Sequence, residues 1–353
     1  MKQNIMKSIS IIIPRLDNKA PIQVAMSIAK SLTADYRVYV YCVHDCSESY
    51  KYQGISVNKL SISNFLNLRN SDIIHSHCFI PDVIGFLLKC IFFKNSIKFF
   101  TTVHCDPFEE FQNKKIKGLL RCVWLFILGK YDKVIVLNSY VKNLLAAKSI
   151  KADVIHNGKN VKFIRNNFFK EKIESFANGR KVIGTYAVFN AIKGIDQLIK
   201  YAAHMDESKC IVIAGDGHLM SEYKKMIDEH ELIEKVLLLG FVSDAHNLLT
   251  YFDVFVMTSR SEGFPIALIE ALSSGKPICH SNIPQFREFK RQLGYVAEVY
   301  EIDNIVSLSE KLNTCLNDIV VKNCYTTNNE IYKIHLTENS MYNSYLKCYA
   351  NVY

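Results

Sequence analysis

Residues 262–277 read Glu-Gly-Phe-Pro-Ile-Ala-Leu-Ile-Glu-Ala-Leu-Ser-Ser-Gly-Lys-Pro, which sets two carboxylates eight positions apart across a glycine turn and a short helix. Pro265 suits a first helical turn, where a missing N–H costs nothing, and Gly275 with Pro277 supplies a stop; a helix is expected over roughly 265–274. Ile266, Ile269 and Leu272 fall on one stripe of it. Glu262 then lies in the entry loop and Glu270 two turns on, about 80° away around the axis. Two acids so placed can face one ligand, or can be solvated on a surface helix; their spacing alone leaves both open. The bare N–H groups after Gly263, at the positive end of the helix dipole, favour a phosphate or a partly anionic sugar oxygen.

Outward from this segment the chain alternates short apolar runs with helical patterns. Residues 9–13, 37–43, 72–75, 98–103, 133–137 and 152–155 read as strands, separated by helical stretches such as 22–32 and 141–147. The second half repeats the scheme at 181–184, 210–214, 235–239, 254–257 and 277–280. This pattern predicts α/β architecture with doubly wound parallel sheets, whose ligands bind beyond the carboxyl ends of the strands. At 353 residues and 49% hydrophobic content the chain has material for two cores. Asn157-Gly158 and the polar stretch to Arg180 read as a linker. The aromatic segment 331–353 reads as helical.

Eleven cysteines, odd in number and without a Cys-x-x-Cys pair, suggest neither a disulfide framework nor a zinc cluster. The apolar run before Pro14 is too short for a signal-peptide core or a membrane span, and a reducing cytoplasm is the expected setting. Charge is uneven: residues 1–170 carry a net +14 and residues 171–353 a net −5. The basic half points to an anionic partner. In 85–100 and 114–133, lysines and arginines interleave with clusters such as Ile91-Phe92-Phe93 and Val123-Trp124-Leu125-Phe126. Such segments suit an interfacial helix on anionic lipid, or are core-facing helices with solvated lysines. No nucleic-acid motif accompanies the charge, so nucleic acid is not expected as a partner.

Two further positions carry chemistry. Lys193-Gly194 precedes an amphipathic helix with Ile195, Leu198, Ile199 and Ala202 on one face. An ammonium beside bare backbone N–H groups is unfavourable unless an anion joins them, which a bound diphosphate would do; a solvated surface lysine is the alternative. His104 ends the strand 98–103, where a sugar hydroxyl could meet it. His75 and His77 end another strand; with no third ligand evident, pocket lining or packing is favoured over metal.

Gly-Asp-Gly at 215–217, Gly240-Phe241-Val242, Asp253-Val254-Phe255-Val256 and Ser259-Arg260-Ser261-Glu262-Gly263-Phe264 occur in the order and approximate spacing of family 4 glycosyltransferases. With weaker likeness upstream, the chain resembles these retaining enzymes over nearly its whole length. The resemblance implies a GT-B fold: an N-terminal acceptor-binding Rossmann-like domain (1–160), a C-terminal donor-binding one (161–335) facing it across a cleft, and a final helix (336–353) crossing back to the first. It also implies roles. Glu262 contacts the donor sugar and Glu270 the nucleotide ribose; Lys193 binds the diphosphate; the Thr-x-His of His104 meets the donor sugar. Gly263 and Phe264 belong to the Glu262 loop, and main-chain groups around Phe241 and Val242 line the base.

The chain departs from the family twice. Val188 stands where the family has arginine five residues before the lysine, and Lys19-Ala20 stands where it has Gly-Gly, so Lys19, with Asn18 beside it, becomes a candidate phosphate-loop cation. The expected reaction is metal-independent transfer of a hexose or N-acetylhexosamine from a nucleotide-diphosphate sugar to a saccharide or undecaprenyl-linked acceptor, in O-antigen, capsule or lipopolysaccharide synthesis. The enzyme would work in the cytoplasm at the inner face of the membrane. No cofactor is expected, and no Asp-x-Asp pair is present to hold Mn²⁺. A nucleotide-sugar epimerase of similar fold and a non-catalytic sugar-nucleotide-binding subunit are the competing assignments.

Overall fold

The computed structural model describes residues 6–17, 19–44, 51–52, 55–94, 96–108 and 115–351. The chain forms two units: one contains the residues up to Gly158 together with Thr337 onward, the other spans Lys159–Leu336.

In the first unit the strands are β1 (Ser8–Ile13), β2 (Arg37–Cys42), β3 (Lys51–Tyr52), β4 (Ile55–Lys59), β5 (Ile73–His77), β6 (Lys98–Val103), β7 (Lys133–Val136) and β8 (Ala152–Val154), in the order β3-β4-β2-β1-β5-β6-β7-β8. All neighbours are parallel except the two-residue β3, which runs antiparallel to β4. All six residues of β1 are buried, which is why its sequence is almost continuously apolar: helices cover both faces of a parallel sheet. The helix Glu338–Ala350 completes this unit, packing on the helix Ala20–Leu32.

The second unit has β9 (Lys181–Tyr186), β10 (Lys209–Ala214), β11 (Val236–Gly240), β12 (Val254–Met257), β13 (Ile278–Ser281) and β14 (Glu298–Tyr300), all parallel, in the order β11-β10-β9-β12-β13-β14. Its core runs from Ile183 and Phe189 through Leu198, Ile211 and Val254 to Leu312. The strand order reverses between β9 and β12, and the loops after those two strands therefore flank a crevice at the carboxyl edge.

Several expectations need correction. The supposed linker contains the helix Asn167–Ala177, capped by the Asn166 side chain and ended by Asn178 in the left-handed region. Strands β4 and β14 were not legible, being short and half polar. The break between units falls at Gly158/Lys159 rather than at 160, and the described part of the segment 331–353 holds the end of the helix Asp318–His335 and the helix Glu338–Ala350, the second opened by the Thr337 side chain accepting from Ser340 N. The helix Ile266–Ser274 starts one residue later than predicted, with Pro265 as its N-cap. It does not show one buried stripe: every residue from Leu268 to Ser273 is buried, because the helix Asp318–His335 and the turn Ala245–Tyr251 both pack on it.

The basic segments are helices with one buried and one exposed apolar side. In the helices Phe79–Ile91 and Lys115–Leu128, Leu88, Trp124, Ile127 and Leu128 are buried, while Leu87, Ile91, Ile116, Leu119, Val123 and Phe126 are exposed.

Candidate active site

The loop after β9 and the loop after β12 are laced together. Gly194 takes a φ of +62°, and a Cβ there would lie 2.2 Å from the Thr258 carbonyl oxygen, so glycine allows the two backbones to touch. Thr258 Oγ1 donates to the Lys193 carbonyl (2.8 Å), Arg260 N to the Ile192 carbonyl (2.7 Å), and Gln197 Nε2 to the Thr258 carbonyl (2.8 Å). Arg260 then clamps the pair, its guanidinium bidentate on Asp196 (2.8 and 2.9 Å) and bonded to Asp303 (2.5 Å). Behind the β9 loop, Gly215 at φ +147° passes so close that a Cβ would meet the Ala187 carbonyl oxygen at 1.9 Å.

This lacing delivers Lys193 to Glu262. Lys193 Nζ lies 2.7 Å from Glu262 Oε1, and the same oxygen accepts from Ser259 Oγ at 2.6 Å. The anion that the lysine position called for is thus, in the unliganded protein, the glutamate predicted to bind the sugar. Both donors converge on one oxygen, while Oε2 is not used by either.

Glu270 projects from the second turn of the helix and is 5% exposed. Its Oε1 accepts from Lys159 Nζ and its Oε2 from the Tyr186 hydroxyl (2.6 Å), with His246 Nδ1 4.0 Å from Oε1. Burial, and then the Glu270 carboxylate, push the Tyr186 phenol well above its ordinary range, so it stays a hydrogen-bond donor. Each carboxylate oxygen retains a lone pair for a further donor. Lys159, Tyr186, His246 and Ser259 are site residues the sequence did not disclose; Lys159 sits in what read as a linker.

The remaining second-unit candidates lie on the same carboxyl edge. Phe241, directly after β11, is 76% exposed, and Val242 is half-buried. Gly263 is half-buried, whereas the Phe264 ring is buried edge-on against Phe289 (centroids 4.6 Å apart). Val188 is 60% exposed on the β9 loop.

In the first unit the carboxyl ends of β1, β2, β5 and β6 surround a cavity of about 540 Å³ lined by Arg15, Asp17, Lys19, His44, Ile80 and His104, among others. Lys19 is exposed and caps the helix Ala20–Leu32 without a side-chain bond, its backbone N–H donating to Asp17 Oδ1 (3.0 Å). Asn18 lies outside the described residues. His104 is 8% exposed, and its Nε2 lies 2.8 Å from His77 Nδ1. His75 and His77 are packed in the core, as favoured. Trp124, against the cavity, donates Nε1–H to buried Asp82 Oδ2 (2.7 Å); Asp82 Oδ1 accepts from Ser76 and Thr101 (both 2.6 Å). Burial lifts the Asp82 carboxyl to about 7 against these bonds.

Two units built on parallel sheets, each with polar loops gathered at its carboxyl edge, have the architecture of the GT-B fold. The profile described as Glycosyl transferases group 1 matches residues 166–328, and that of Glycosyltransferase Family 4 matches residues 23–163. The chain belongs to family 4 of these enzymes. It is 26% identical over 322 residues to the O-antigen biosynthesis glycosyltransferase WclY of Escherichia coli, covering 84% of this chain and 89% of that one. It is 28% identical over 291 residues to the UDP-Gal:alpha-D-GlcNAc-diphosphoundecaprenol alpha-1,3-galactosyltransferase of Escherichia coli, covering 75% and 72%. Among solved structures, Anabaena Alr3699/HepE in complex with UDP and glucose superposes with a TM-score of 0.81 at 16% identity, covering 97% of this chain and 99% of that one.

Proposed function

We propose that the protein transfers a hexose or N-acetylhexosamine from a nucleoside diphosphate sugar to a saccharide carried on a lipid diphosphate such as undecaprenyl diphosphate, with retention at the anomeric carbon, in the synthesis of a bacterial surface polysaccharide. The observation that carries this is the Lys193–Glu262 pair at the strand-order reversal, one helix away from the clamped Glu270. A donor diphosphate competes with Glu262 for the Lys193 ammonium. Released from that contact, Glu262 accepts hydrogen bonds from the sugar hydroxyls, and Glu270 accepts from the ribose. Main-chain groups at Phe241 and Val242 line the base.

As the glycosidic C–O bond breaks, charge grows on the leaving diphosphate, where Lys193 and the N–H groups that open the helix Ile266–Ser274 oppose it. The acceptor hydroxyl attacks the anomeric carbon from the face the diphosphate leaves, and its proton passes to the departing phosphate oxygen. No metal is required, since those groups supply the positive charge. His104 contacts the donor sugar, and Lys19 the acceptor side.

The names of the relatives support the class of acceptor and the pathway. A peripheral site on the cytoplasmic face of the membrane is supported by the helices Phe79–Ile91 and Lys115–Leu128. Leu87, Ile91, Phe93, Ile116, Leu119 and Phe126 are exposed there beside Lys94 and Lys130, whose ammoniums lie 5.6 and 5.1 Å from the Phe93 and Phe126 ring centres. Within residues 79–94 and 115–130 the only acid is buried Asp82. Apolar side chains ringed by lysines match an anionic bilayer surface.

The test is incubation of purified protein with labelled nucleotide sugars, membrane lipid extract and EDTA, with the product's anomeric configuration read by NMR. Retained configuration, unaffected by chelation and lost in Glu262→Ala, is expected. Inversion, metal dependence, or epimerised donor without transfer would refute the assignment.

A further inference from the structure

The core of the first unit holds a cluster of three histidines that the transfer described above uses only at its edge. His75 is bonded at both nitrogens, Nδ1 to the Tyr349 hydroxyl (2.7 Å) and Nε2 to Thr102 Oγ1 (2.9 Å). Its ring lies against that of His77, with centroids 4.4 Å apart. His77 Nδ1 in turn meets His104 Nε2 at 2.8 Å, and only His104 reaches the 540 Å³ cavity. Burial holds all three well below their ordinary value, His75 and His104 at about 3, so each is a neutral ring with one N–H.

One proton therefore lies between His77 and His104, and it can sit on either ring. If His104 Nε2 carries it, His77 must carry its own on Nε2. That atom is buried and has no hydrogen-bond partner, so the arrangement strands an N–H in the core. If His77 Nδ1 carries it, the stranded Nε2 is only a lone pair. Orphaned buried N–H groups are the rarer of the two, and unsatisfied acceptors are better tolerated. The second arrangement also decides His104: with Nε2 accepting, its proton is on Nδ1.

We infer that His77 is a positioning residue that fixes His104 as the Nδ1–H tautomer, so that the cavity receives a hydrogen-bond donor from this ring rather than an acceptor. A donor there selects a ligand oxygen with a free lone pair, such as a sugar hydroxyl or ring oxygen. The His75–Tyr349 bond ties the cluster to the final helix, and the unpartnered Nε2 of His77 sets the tautomer. The effect on turnover rests on the reading of His104 as a sugar contact; the tautomer does not.

The test is made on the full chain labelled with ¹⁵N-histidine. Multiple-bond ¹H–¹⁵N spectra, with the His104 signals identified by their loss in His104→Gln, should show Nδ1 protonated and Nε2 bare; the reverse would overturn the inference. Two variants then separate positioning from packing. His77→Asn places an amide N–H where Nδ1–H was and should keep the tautomer and most of the kcat. His77→Gln places it where Nε2 was and should lose about 10–100-fold in kcat, as supporting partners of functional histidines do. Equal losses in two variants that melt alike would overturn the positioning role. The expected tautomer together with full activity in His104→Gln would sustain the inference about His77 and instead overturn the assignment of His104 to the sugar.

Discussion

Lys193→Ala would remove the ammonium 2.7 Å from Glu262 while leaving Gly194 and the laced backbone in place. The Glu262 side chain is 8% exposed and that of Lys193 28%, so the carboxylate would lose its cation and keep the Ser259 hydroxyl. Breaking a fully buried pair costs about 3–5 kcal/mol and an exposed one about 0–1, which puts this partly exposed pair at about 1–3 kcal/mol of stability. That loss belongs to the unliganded protein. A separate loss appears on binding if the ammonium turns to the diphosphate: one charge-assisted contact, about 1.5–3 kcal/mol, or roughly 10–150-fold in Kd. Titration calorimetry with a nucleoside diphosphate and with the same nucleoside lacking phosphates separates the two. The diphosphate should weaken by that factor and the nucleoside should not. Adding Glu262→Gln should recover part of the melting temperature, since no carboxylate is left unpaired, without recovering diphosphate affinity. A variant that melts lower yet binds the diphosphate as tightly as the parent would make the Lys193–Glu262 pair structural and refute its role at the donor.

Tyr186→Phe removes the 2.6 Å donor to Glu270 and should cost about 1–3 kcal/mol, shared between melting temperature and nucleotide affinity; no change in either would exclude the clamp. Val188→Arg, at an exposed position on the β9 loop, should tighten nucleoside diphosphate binding up to roughly tenfold and leave nucleoside binding alone. Phe126→Glu should release the protein from anionic vesicles in co-sedimentation without affecting soluble-donor binding; undiminished sedimentation would remove that face from the membrane contact. Acid should loosen the first unit. Below about pH 6.5 the unfolded chain takes up three protons that buried His75, His77 and His104 refuse, while the folded chain holds one at Asp82 until both states are protonated near 3.8. The net uptake of protons by the unfolded chain lowers stability progressively as pH falls from about 6 to 4, a contribution fully retained above about 7. Hydrogen exchange in β5 and β6 should accelerate through that window, and exchange free energies that stay constant between pH 7 and 5 would refute the sign.

The alternation of apolar runs disclosed most strands because a strand buried on both faces is mostly apolar, as β1 is apart from Ser8 and Ser10 and β10 is after Lys209. Strand β14 was missed because three residues with a glutamate at one end carry too little of that signal. The helix Ile266–Ser274 was placed to within a residue by Pro265 and Gly275, local features read in local sequence. Its burial on all sides was not, because that depends on the helix Asp318–His335 arriving from outside the segment.

Glu262, Glu270, Lys193 and His104 could be singled out in the sequence because each belongs to a motif shared with the family, and the local pattern placed them: His104 after the strand β6, Lys193 just before the helix Ile195–Ala202, Glu262 in the loop that enters the helix Ile266–Ser274, and Glu270 in that helix. Sequence by itself thus determined two doubly wound units and the loops that bear the chemistry. Which atoms meet was decided only by tertiary structure. Lys193 finds Glu262 across 69 positions, Tyr186 finds Glu270 across 84, and His77 finds His104 across 27. Propensity and periodicity act over a few residues, whereas a hydrogen bond between distant side chains depends on strand order, and strand order is set by how the whole sheet buries its faces.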